Sequence, residues 1–82
     1  MSNLLNEREM THGHYYNTAT MTQEFKAIMH ASINWSDLNV CQKESLEMIA
    51  LKIARILNGD QNEPDHWRDI AGYAKLVDRH DS

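Results

Sequence analysis

Between two strongly helical stretches the chain carries Asn58-Gly59-Asp60-Gln61-Asn62-Glu63-Pro64. This run limits the fold more than any other. Asn-Gly ends a helix, because glycine reaches the left-handed conformation that closes one. Proline is excluded from a helix interior but suits its first turn, where the missing N–H has no intrahelical partner to lose. Only a short polar turn lies between the two signals. Helices joined this way lie antiparallel, so the sequence predicts a helical hairpin as the centrepiece of the fold.

The first arm is expected over about 38–58, capped by Ser36 or Asp37. Leu46, Ile49, Ala50, Ile53, Ile56 and Leu57 give it a broad apolar face. On the other side Glu44, Glu47, Lys52 and Arg55 alternate with Val40, Met48 and Leu51. A helix apolar nearly all round is enclosed on more than one side, and a subunit interface is the commonest reason. The second arm is expected over about 64–78, with Trp67, Ile70, Ala71, Ala74 and Val77 toward the core. Gly72 inside it costs about 1 kcal/mol relative to alanine, which points to close approach of another helix or of a ligand, helix packing first. Gly59 is expected in the left-handed cap position.

Upstream, Met21, Phe25, Ile28 and Met29 follow a helical stripe, predicting a helix over about 19–31. Thr20 with Gln23 matches a capping box, and Asn17 and Thr18 are further cap candidates. Trp35 follows in a loop that breaks the pattern, placed to cover the core between helix ends. Residues 1–16 read as an arm and a loop in which Gly13 separates His12 from His14. A His-x-His pair is a candidate ligand set, although a metal needs further donors. Tyr15 and Tyr16 are expected to pin that loop to the helices. The fold class is therefore all-α: one domain over 1–82, three main helices and a central hairpin.

With 82 residues, the chain can bury only a modest core. No disulfide framework supports it, so a homo-oligomeric bundle is expected. Twelve acidic residues against eight basic give a net charge of −4. That argues against general nucleic-acid binding, which requires a basic face, and leaves room for a nucleotide site or a basic protein partner. The lone cysteine, Cys41, fits a reducing compartment and is expected as a small buried side chain. No apolar run is long enough to cross a membrane, and the first ten residues lack the apolar centre of a secretory signal. A cytoplasmic location is expected.

The hairpin register decides which polar groups meet. With residue 58 beside residue 64, residue 55 lies near 67 and 52 near 70. Lys52 and Arg55 therefore come level with Asp65, His66 and Asp69, with Tyr73 on the adjoining ridge. Interhelical ion pairing is one meaning of that cluster. The other is a mixed-charge pocket, in which the cations meet a phosphate or an acidic partner and the aspartates a metal or a ribose hydroxyl. Glu44 and Glu47 share a face on the first arm, and Asp65 and Asp69 on the second. Two such carboxylate pairs suit a magnesium site. Within one hairpin, however, Glu47 stands about 15 Å along the axis from the aspartates. The pairs can meet only across a subunit interface. No serine–histidine–acid set, glycine-rich phosphate loop or zinc spacing is present.

Two resemblances add to this reading. The runs Glu44 to Ile49, Lys52 to Asp60 and Asp65 to Ala74, together with Thr11-His12-Gly13, resemble a family of small helical phage and prophage proteins. The resemblance covers most of the chain from Thr11 and implies a phage-encoded accessory protein acting in a host cytoplasm. More distantly, the chain is similar to all-helical nucleotide pyrophosphohydrolases of the MazG and dimeric dUTPase type. Glu44 and Glu47 match part of their first acidic run, with Lys43 where a leading glutamate stands. His66 and Asp69 occupy the Glu-x-x-Asp positions of the second. The leading expectation is an oligomeric helical binding module for a nucleotide-type ligand or a host protein. The alternatives are a magnesium-dependent pyrophosphohydrolase using Glu44, Glu47, Asp65 and Asp69, and a phage inhibitor of a host defence system.

Overall fold

A computed structural model describes residues 14–80. Helix α1 spans Tyr15–His30, a short 3-10 turn spans Trp35–Asp37, α2 spans Val40–Asn58 and α3 spans Pro64–His80. There is no strand among the described residues. The all-α class and the α2–α3 hairpin are as the sequence predicts. The expected arm over residues 2–10 and the glycine between the first two histidines lie outside the described residues.

Helix α1 starts a turn earlier than predicted. Its N-cap position is His14, with extended backbone and no side-chain capping bond. Asn17, Thr18 and Thr20, read as caps, are inside the helix. Thr18 and Thr22 are buried, and the Thr22 hydroxyl donates back to the Thr18 carbonyl at 2.8 Å. A threonine satisfied in this way does not interrupt a helix. Tyr15 and Tyr16, expected to pin the preceding loop, occupy the first turn of α1 and are exposed; that loop lies outside the described residues.

Helix α2 is capped by Asn39, not by Ser36 or Asp37, which belong to the 3-10 turn. The Asn39 side chain accepts from the Gln42 N–H at 2.8 Å, and the Gln42 side chain accepts from the Asn39 N–H at 2.9 Å. Two N–H groups that would otherwise lack partners are satisfied reciprocally. Cys41 lies in the first turn of α2 and is exposed, contrary to expectation.

Pro64 opens α3 as predicted. Gly59 does not adopt the left-handed conformation; its backbone has φ −131° and ψ −134°. The turn is closed by other groups. The Asp60 carboxylate accepts from the Asn62 N–H at 2.9 Å, and the Trp67 indole N–H donates to the Gln61 carbonyl at 2.8 Å. That bond holds Trp67 at the turn and leaves its ring more exposed than buried, so it is not a core residue. Gly72 marks no close approach either, since a Cβ there would meet nothing within 4 Å.

The largest difference from expectation concerns α2. It lies between α1 and α3, which barely touch each other. Asn58 reaches the Met21 sulfur at 3.6 Å, and His30 reaches Glu47 at 2.6 Å, so α1 runs antiparallel to α2. A central helix in such a layer buries its two flanks and not one face. The buried apolar residues are accordingly Ala50, Ala54 and Ile56. Leu46, Ile53 and Leu57, expected in the core, are exposed.

Candidate functional site

The flank of α2 that meets α3 carries the candidate site. The Lys52 ammonium lies 2.9 Å from the Asp69 carboxylate. The lysine side chain is 11% exposed and the aspartate 46%, so the apolar stem of Lys52 crosses the helix interface and its charged end emerges beside Asp69. The hydrogen bond from Lys52 holds the Asp69 carboxyl below its usual value of 3.8. Desolvation opposes this, while the charge of Lys52 and smaller influences from His66 and Arg55 reinforce it. His66, three residues before Asp69, is 1% exposed. Tyr73, seven residues after His66 and hence on the same flank, is half-buried.

The structure thus brings Lys52, Arg55, His66 and Asp69 together. Asp65 points outward and meets Arg68 at 3.4 Å, with both side chains exposed. Glu47 is drawn to the opposite flank of α2, where the His30 imidazole binds it at 2.6 Å. Glu44 is exposed near the start of α2. His14 is at the start of α1, on a different helix from the cluster, and His12 lies outside the described residues. Among the described residues no three histidine, cysteine or acidic side chains converge where a metal ion would bind. The four carboxylates do not form a magnesium site within one chain, because each of Glu47, Asp65 and Asp69 is engaged in a different direction.

His30 was not singled out by its sequence. It binds Glu47 and lies against Trp35, ring centroids 4.6 Å apart, fastening the end of α1 to α2. The available signal was positional. A histidine in the last turn of a helix antiparallel to α2 comes level with the first half of α2.

The helical period sorts the remaining side chains. Glu44, Met48, Leu51 and Arg55 recur at steps of four, three and four and share one side of α2. Asp65, Asp69 and Gly72 share one side of α3. Arg55 acts on the charge of Asp69, so these two sides form one face of the layer, and it carries the charges. Leu46, Ile49, Ile53 and Leu57 recur on the reverse side of α2. There an open groove of about 320 Å³ runs between Leu46 and Ile49 of α2 and Ala74 and Val77 of α3. Trp67 is seven residues from Ala74 and lies on the same side of α3. The reverse face is mainly apolar, with Asp78 on the same side of α3 as Ala74, while Val40 and Leu76 are exposed on the charged side.

No helix among the described residues is long and apolar enough to cross a membrane. No curated protein and no solved structure matches the chain. A family model described as "Domain of unknown function (DUF6378)" matches residues 2–81. That span is nearly the whole sequence, and the chain belongs to the DUF6378 family.

Proposed function

We propose that this chain is a helical binding module that works as an oligomer and meets a protein partner on its charged face. The observation that carries this reading is the Lys52–Asp69 pair. A phosphate site needs cations free to give their hydrogen bonds to the ligand. Here the lysine is largely enclosed and already holds a carboxylate at 2.9 Å. Arg68 on α3 is beside Asp65, and Arg55 on α2 acts on the charge of Asp69. Paired charges of both signs, in a chain of net charge −4, suit recognition of a protein surface better than of a nucleotide. In the setting that the resemblance to phage and prophage proteins implies, the partner is a host protein, a defence component included.

Two measurements test this reading. Thermal unfolding with nucleoside mono-, di- and triphosphates, with and without Mg²⁺, should show no stabilisation. Cross-linked complexes recovered from host cells should contain a partner that is lost in Arg55→Glu and retained in a substitution on the apolar face. Pyrophosphate release from any nucleotide, abolished by Asp69→Asn, would replace this reading with the pyrophosphohydrolase. A nucleotide-dependent shift lost in Arg55→Ala would replace it with a nucleotide-binding module.

A further inference from the structure

We propose that the apolar face docks onto the same face of a second copy, with the two α2 helices antiparallel about a two-fold axis. The inference deepens the oligomeric part of the reading above, on which it rests, and is independent of what the charged face binds.

The first argument is the stripe itself. Leu46, Ile49, Ile53 and Leu57 are separated by three, four and four residues, the spacing of a seam that meets another helix. Leu57 is 63% exposed and Trp67 55%. The second argument is that the face is complementary to itself. One end is hollow, where Leu38, Leu46, Ile49, Ala74 and Val77 line the groove of about 320 Å³. The other end, beside the turn, projects through Leu57 and Trp67. Groove and projection are separated along α2 by the eleven residues from Leu46 to Leu57, about 16 Å. A two-fold axis between them places the projecting end of each copy on the groove of the other. That is the reciprocal geometry that symmetric dimers use.

The third argument is the core, since the buried apolar residues among those described are two alanines and one isoleucine, a small core for a chain that leaves an apolar stripe in water. Charge selects the occupant. A membrane surface would call for lysine and arginine around the apolar stripe, but the chain is acidic and Gln42 and Ser45 are the polar residues that line the groove.

Sedimentation equilibrium of the full chain from 1 to 200 µM tests the proposal. The expected result is a dimer whose dissociation constant rises at least about a hundredfold in Leu57→Glu, with helicity retained by circular dichroism. Glu44→Lys, on the opposite face, should dimerise as the parent does. Disulfide trapping supplies a second readout in a Cys41→Ser background. A mixture of Leu46→Cys and Leu57→Cys chains should cross-link, and neither alone should. A monomer at every concentration would overturn both this surface and the oligomeric reading. A dimer unaffected by Leu57→Glu, or one in which Leu57→Cys cross-links to itself, would overturn the surface alone.

Discussion

Glu44 and Leu46 are two residues apart and lie on opposite sides of α2. One belongs to a face of paired charges, the other to a face of exposed apolar side chains. The two faces arise from the same two helices and differ only in phase along the helical turn. Their interactions differ in kind. On the charged face Lys52 and Arg68 are already beside carboxylates, so a partner there must exchange or extend existing ion pairs. On the apolar face Leu57 and Trp67 gain free energy from almost any contact that removes water. The first arrangement favours selectivity and the second favours association. Assembly and recognition, as proposed, would each have their own side of the layer.

The contrast can be broken most severely at His66, which stands between the faces. It is enclosed almost completely at the α2–α3 interface. His66→Ala should cost about 3 kcal/mol in urea unfolding and weaken both faces together. A cost below about 1 kcal/mol would mean that the hairpin does not depend on it.

Acid should separate the faces. Asp69 stays ionised in the folded chain to a lower pH than in the unfolded chain, so on acidification the unfolded chain takes up the proton first. The contribution of the Lys52–Asp69 pair is complete above the usual carboxylate value of 3.8 and disappears as pH falls through the lowered one. Asp69→Asn should therefore lower stability at pH 7 and have little effect at pH 2. The Leu57→Glu effect on self-association should be present at pH 7, where the introduced carboxylate is charged. Equal losses for Asp69→Asn at both pH values would mean that the pair contributes through packing and not through charge.

Two smaller changes sharpen the picture. Asn39→Ala removes half of the capping box and should cost about 1 kcal/mol, read as a lower denaturation midpoint with the slope unchanged. Gly72→Ala, on the charged side of α3 where a Cβ meets open space, should stabilise by about 0.5–1 kcal/mol. A destabilising result would show that this helix surface is covered when the chain assembles.

The hairpin was legible because its signals are local. Asn58-Gly59 and Pro64 act within a few residues, and they place residue 52 close to its observed partner, Asp69. The start of α2 was harder to read, since Ser36, Asp37 and Asn39 are all competent caps and only Asn39 has a glutamine three residues on to complete the box. The apolar face was recognised as apolar but assigned to the core. Periodicity reports which side chains share a side, and it is silent on whether a neighbour covers them. Leu57 and Ile56 have equal claims to burial in sequence, and the position of α3 decides between them. The candidate cluster followed from hairpin register alone. The hold of His30 on Glu47 depends on where α1 lies, and no local signal specifies that.

The chain has two tryptophans, and the fold gives them unlike surroundings. Trp35 lies against the His30 ring at the junction of α1 and α2, whereas Trp67 is fastened by its indole N–H to the turn with its ring facing outward. The molecule therefore carries two optical reporters on separate events. Emission from Trp67 should move to shorter wavelength as copies associate, and emission from Trp35 should follow the attachment of α1 with little response to assembly.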